Sequence, residues 1–122
     1  MPPSPSTWHA LIRTHHITSR AKVSKLKQAA TKHGVFVLLR SGGAPGMMYV
    51  AGEARGNVEE WVGVVQRLRY KDYQLVAKPI EVEATGNATK GLFETDSVAD
   101  FGRQMEERGV LAWWRKAMGY TS

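Results

Sequence analysis

The stretch VFVLLRSGGAPGMMYVA, residues 35–51, contains two short apolar runs joined by a glycine-rich connection. Each run has five residues, Gly34 precedes the first, and Ser41 opens the connection. Apolar runs of this length with such flanks are typical of buried strands rather than helices. Since the glycines of the connection permit the positive φ angles of a tight turn, the stretch predicts a β-hairpin.

The segments before the hairpin predict a strand and a helix. Residues 8–16 (WHALIRTHH) favour a strand, and Thr18 or Ser19 is suited to cap a helix that runs to about His33. Gly34 then lies where a helix commonly ends in a left-handed glycine.

The segments after the hairpin repeat that order. Asn57 and Glu60 resemble a capping box that opens a second helix, and residues 73–77 predict a fourth strand that Pro79 ends. The resulting β-α-β-β-α-β order is typical of the ferredoxin-like fold. We therefore predict an α+β protein in which two helices cover one face of an antiparallel sheet.

The remainder predicts a C-terminal helical extension. Residues 81–91 are polar and indicate a loop, whereas Ser97 with Asp100 opens a helix, and a last helix ends at Gly119. We expect a disordered tail at residues 1–7, a single domain over 8–122, and the two extra helices at about 93–119.

Composition excludes several classes of protein. The 122 residues include no cysteine, which excludes disulfide scaffolds and thiol nucleophiles. No apolar run reaches the roughly 20 residues of a membrane span, and the first residues do not resemble a secretory signal. We expect an intracellular protein that binds no membrane; nothing in the composition indicates an oligomeric state.

The charge is distributed unevenly along the chain. Residues 1–52 contain seven Lys or Arg and no acid, whereas residues 53–122 contain ten Lys or Arg and eleven acids. The first part therefore has a charge of +7, the second −1, and the sum is the net charge of +6. Such asymmetry is typical of a surface that attracts a polyanion, although solvated basic helix faces also occur without a ligand.

The residues give little indication of catalysis or of a cofactor. The four histidines have no acid nearby in sequence that could complete a metal site. The glycine-rich connection lacks the Lys-Ser/Thr of a phosphate-binding loop, and no serine lies in a nucleophile elbow. We therefore expect no metal, no cofactor and no enzymatic activity.

RNA is the partner that the basic residues favour. Cations would hold phosphates, while histidine or tyrosine side chains would offer hydrogen bonds or stacking to bases. The candidate RNA-binding residues are Arg13, His15, His16, Lys22, Lys25, Lys32, Arg40, Tyr49 and Lys71.

Four short motifs, in this order, resemble a known family. They are THHITS at 14–19 followed by Lys22, GAPG at 43–46, YVAGE at 49–53 and QRLRYK at 66–71. This sequence resembles the C-terminal domain shared by the spliceosomal pre-mRNA-processing factor three and a group of uncharacterised RWD-domain proteins. The resemblance covers residues 8–119.

The resemblance implies a ferredoxin-like domain that contacts small nuclear RNA within the spliceosomal tri-snRNP. It also implies a nuclear location, whereas without this relation we expect a cytoplasmic one. Two features depart from the family: Ala44 stands where lysine is common, and these 122 residues include neither the long upstream region of the splicing factor nor an RWD domain. The paired histidines are more similar to the RWD-linked branch. The alternative function is a protein-interaction module that uses a sheet edge or a patch near Trp113 and Trp114.

Overall fold

The structure is a computed structural model, and it describes residues 6–83 and 89–120. These residues form nine elements. The strands are β1 Ser6–Thr14, β2 Phe36–Arg40, β3 Gly46–Gly52, β4 Gln74–Glu83 and β5 Gly91–Thr95. The helices are α1 Arg20–His33, α2 Arg55–Arg67, α3 Val98–Glu107 and α4 Leu111–Met118.

The strands form one mixed sheet in the order β4-β1-β3-β2-β5. β3 pairs antiparallel with β1 and with β2, and β4 pairs antiparallel with the other edge of β1. The hairpin of β2 and β3 is therefore confirmed. β5 pairs parallel with β2, so the prediction of a wholly antiparallel sheet was wrong. The described residues thus have an α+β fold, with a five-stranded mixed sheet and four helices.

Helices cover both faces of the sheet. One core contains the apolar sides of α1 and α2, and alternate strand residues such as Val37, Met48 and Val50 contact them. The second core contains α3 and α4, which pack on Leu38 and Tyr49 among others. Since successive side chains of a strand point to opposite faces, the two cores lie on opposite sides of one sheet. The C-terminal helices thus form a third layer.

Local signals define the ends of two helices. The Ser19 side chain accepts a hydrogen bond from Lys22 N, and Gly34 ends α1 with a φ of 63°. Ser97 caps α3 in the same way, accepting from Asp100 N. The capping box predicted for α2 is wrong, because the helix begins at Arg55, two residues before Asn57, with no side-chain cap.

Three boundaries differ from the sequence expectations. β4 continues through Pro79, which an edge strand tolerates because it needs no N–H on its outer side. Residues 93–95 form the end of β5 rather than a helix. β1 begins at Ser6, so two residues of the expected tail lie in the sheet. The rest of that tail, residues 1–5, lies outside the described residues, as do residues 84–88 of the expected loop and residues 121 and 122.

No helix within residues 6–83 and 89–120 is both long and apolar enough to cross a membrane.

Candidate nucleic-acid interface

Three segments meet at the end of the sheet where β1 finishes. The backbone N–H of His15, just past β1, donates to the carbonyl oxygen of Lys71 at 2.9 Å. The His15 carbonyl oxygen accepts from the N–H of Gly46, the first residue of β3, at 3.2 Å. One residue therefore holds both the α2–β4 loop and the β2–β3 loop against β1.

A groove of about 470 Å³ lies between these segments. This volume is within the range of small-ligand sites. It combines two partly exposed apolar surfaces, Pro45 and Tyr73, with charged and polar groups. Its lining residues are Arg13, Thr14, His15, Ala44, Pro45, Asp72, Tyr73 and Gln74.

Thr14 is buried beside this groove, with 2% of its surface exposed. Its hydroxyl oxygen has no hydrogen-bond partner. A Cβ on Gly46 would collide with this oxygen and with the Ile17 side chain, so only glycine lets β3 approach the end of β1 so closely.

Two neighbouring imidazole rings follow β1, and the His15 ring lines the groove. The rings of His15 and His16 are 4.3 Å apart between centroids, at an angle of 53°. His15 Nδ1 lies 3.6 Å from the carboxylate of Asp72. Because His16 is exposed and His15 is half-buried, both rings are accessible to a phosphate or a base.

The α2–β4 loop presents Lys71 beside the histidines. Arg69 and Asp72 adopt positive φ angles of 55° and 56°, which is costly for residues other than glycine. Between them, the Tyr70 side chain is buried in the core and holds the loop against it. Burial raises the pKa of Tyr70 to about 12. The ammonium of Lys22 lies 4.9 Å from the centre of the Tyr70 ring, which joins α1 to this loop.

The start of α1 adds positive potential at the same end of the sheet. Its first turn contains Lys22 and no acid, whereas the guanidinium of its first residue, Arg20, pairs with Glu94 of β5 at 2.7 Å. The helix N-terminus itself carries a partial positive charge from its unpaired N–H groups. Lys25 is exposed one turn further along the helix.

Two of the predicted residues do not join this cluster. Lys32 lies too far along α1, and the Arg40 side chain already donates hydrogen bonds within the protein. Lys32 is ten residues beyond Lys22, which places it about 15 Å further along α1. Arg40 donates to the carbonyl oxygens of Asp96 and Pro45, each at 3.1 Å. Arg40 therefore positions the β2–β3 loop.

Tyr49 cannot stack on a base, so this prediction was wrong. The residue is fully buried under the C-terminal helices, where its ring packs edge-on against Phe36 and Trp113. Its hydroxyl contacts Nδ1 of His9, and burial raises the pKa of Tyr49. The α3–α4 layer thus occupies the face that a base would otherwise reach.

The tryptophan patch of the alternative hypothesis is only partly accessible. Trp114 is buried and stacks on Phe101 at 5.7 Å between ring centres. Trp113 is half-buried beside His9 and Tyr49. The pair therefore serves mainly as core packing between α4 and the sheet.

The sequence-based prediction omitted six of the residues that line the groove: Thr14, Ala44, Pro45, Asp72, Tyr73 and Gln74. The last three directly follow Lys71, so extending the basic motif by three residues would have included them. Within the two described ranges, no group of three His, Cys, Asp or Glu side chains could hold a metal ion.

No protein-family model matches the chain, and no curated protein matches it. The function proposed below therefore rests on the residues of this chain and on the resemblance of its motifs.

Proposed function

We propose that this protein is a non-enzymatic RNA-binding module whose first six elements have the ferredoxin-like arrangement. The strand order β4-β1-β3-β2 with antiparallel pairs supports that arrangement, and so do α1 and α2 on one face. The parallel strand β5 and the α3–α4 layer are additions to it. The four ordered motifs support a relation to the splicing-factor domain, and small nuclear RNA is the partner class that this relation implies.

The observation that carries the proposal is the clustering of cations from three separate segments. Arg13 at the end of β1 lines the groove, Lys22 of α1 contacts the α2–β4 loop, and Lys71 belongs to that loop. The His15 ring also lines the groove, and Asp72 is the only acid among its lining residues. Such an arrangement suits a chain of phosphates whose sugars and bases contact the groove.

The roles that we propose for the individual residues follow from the chemistry of their side chains. Arg13 and Lys71 are exposed and would neutralise phosphates. Tyr73 and Pro45 would contact a ribose or a base through their apolar surfaces. The ring nitrogens of His15 and His16 would form hydrogen bonds with phosphates or bases.

Fluorescence anisotropy with labelled single-stranded and duplex RNAs tests the proposal. We expect binding that weakens steeply between about 50 and 200 mM salt, because each phosphate contact releases counterions. The double variant Arg13→Glu with Lys71→Glu should weaken binding by roughly a hundredfold at the lower salt concentration, since two attractions become repulsions.

The matched control is Lys78→Glu with Lys116→Glu. These residues are exposed on β4 and α4, outside the groove, and the change in formal charge is the same. Equal losses in both double variants would indicate a general polyanion surface instead of this interface. Absence of binding at about 50 mM salt would contradict RNA binding altogether.

A further inference from the structure

A second groove, distant in the sheet from the first, lies between β5 and α3. It has a volume of about 540 Å³. Phe93 of β5 lines it and is 46% exposed, the largest exposed fraction among the large apolar side chains of the described residues. The Phe93 ring stacks on Phe36 at 5.7 Å between centroids and 25° between planes. The Arg108 guanidinium covers Phe36 at 3.5 Å from the ring centre.

The backbone of β5 has a side that pairs with no strand in the described parts of the chain. The N–H of Gly91 donates to Val35, and the carbonyl of Thr95 accepts from Ser41, both at 2.9 Å. In a parallel ladder, alternate residues direct both backbone groups toward the same neighbour. Residues 91, 93 and 95 therefore face β2, and the backbone groups of Leu92 and Glu94 point to the open side.

The two edges of the sheet differ in how they resist strand addition. β4 carries Lys78 and Pro79, a charge and a residue without an N–H, which are common protections of an edge. β5 contains neither lysine nor proline. The edge at β5 is therefore the one that can accept an extended chain.

Charge indicates what kind of chain fits there. Glu94 and Glu107 are the carboxylates that line the groove, and each already has an arginine partner: Arg20 at 2.7 Å and Arg103 at 2.6 Å. On the face of the sheet that α1 covers, the positive charges of Arg20 and Lys27 both lower the pKa of Glu94. The helix α1 itself contains no acid. Excess positive charge therefore borders the open side of β5.

We propose that β5 binds an extended acidic peptide segment of a partner protein by strand addition. An added strand alternates its side chains between the two faces. On the α3 face, apolar residues would contact Phe93 and Phe36. On the α1 face, acidic residues would approach Lys27. The ligand is therefore a segment in which apolar and acidic residues alternate, bound through the backbone groups of Leu92 and Glu94.

The test uses a short synthetic peptide in which aspartate alternates with valine and a central phenylalanine. We expect saturable binding by calorimetry, with amide shifts of Leu92 and Glu94 in ¹⁵N-correlated spectra. The same peptide with alternate amides methylated should bind at least about fivefold more weakly, because it loses backbone hydrogen bonds. A peptide with lysine in place of aspartate should also bind more weakly.

Two pairs of variants distinguish peptide binding at the β5 edge from effects of a lost charge or of a lost apolar side chain elsewhere. Glu94→Pro removes the outward N–H, whereas Glu94→Ala removes the same carboxylate and keeps the N–H, so only the proline should abolish binding. Phe93→Ala should weaken binding, whereas Ile80→Ala, exposed on the opposite edge, should not. The RNA variant Arg13→Glu with Lys71→Glu should bind the peptide normally, which makes this inference independent of RNA binding.

Absence of peptide binding by the unchanged protein would overturn the inference, as would equal binding by the proline and alanine variants. If Phe93→Ala instead weakened RNA binding and left peptide binding unchanged, the groove would belong to the RNA interface.

Discussion

His9 illustrates how folding changes the chemistry of one side chain. The ring is 4% exposed, its Nε2 lies 2.5 Å from the Thr7 hydroxyl oxygen, and its Nδ1 contacts the Tyr49 hydroxyl. Burial lowers the pKa of His9 to about 4, and the positive charge of Arg108 adds to this effect. His9 is therefore neutral in the folded protein at neutral pH.

We predict that this histidine makes the protein less stable in mild acid. Between the unfolded pKa of about 6.5 and the folded pKa of about 4, the unfolded chain takes up a proton that the folded chain does not. The stabilisation from neutral His9 is fully present above pH 6.5 and is lost as the pH falls toward 4, by about 3 kcal/mol in total. Urea denaturation at a series of pH values measures this loss.

His9→Gln is the control, because an amide retains hydrogen-bonding groups and does not titrate. Between pH 6.5 and 4, the free energy of unfolding of this variant should depend less steeply on pH. The difference in slope should correspond to the uptake of at most one proton on unfolding. Identical slopes for the two proteins would show that His9 is not the group responsible.

Among the elements, α2 lacks a side-chain hydrogen bond at its N-terminus. Its N-cap is Ala54, whose extended backbone has the conformation of a capping residue but whose side chain accepts no hydrogen bond. The first turn also lacks an acid. The sequence predicted the cap at Asn57 because that residue type caps well, but Asn57 lies inside the helix, which begins at Arg55.

We predict that Ala54→Asp stabilises the protein by about 1 kcal/mol, because the carboxylate can accept from the free N–H groups and lies at the positive end of the helix. Thermal denaturation at neutral pH measures the gain. Ala54→Asn provides the cap without the charge and should give a smaller gain. A decrease in stability in both variants would contradict the assigned start of α2.

At the scale of the whole molecule, one sheet supports two cores. We predict that Trp114→Ala, on the α4 side, destabilises the entire protein by about 3–5 kcal/mol, because it leaves a cavity against Phe101 and Gly102. Far-UV and near-UV circular dichroism should report a single coincident transition, since both cores depend on the same central strands.

Trp113→Ala is the matched change on the neighbouring residue, which is only half-buried, and it should cost less. Two separate transitions in the Trp114 variant would show that the α3–α4 layer unfolds independently of the rest.

The sequence alone determined the features that depend on neighbouring residues. The apolar runs of 35–51 predicted the hairpin, and Ser19, Gly34 and Ser97 predicted helix ends that the structure confirms. Each of these signals acts over a few residues. Caps and turns provide hydrogen-bond partners for nearby backbone groups, and short apolar runs with turn residues on either side favour buried strands.

Only the tertiary structure decided the features that depend on distant contacts. β5 is short, and it is a strand because β2 offers a free edge. Tyr49 is buried because α3 and α4 return over its face. Residue type could list the cations, but the distance between them depends on how β1, α1 and the α2–β4 loop meet, which no local pattern records.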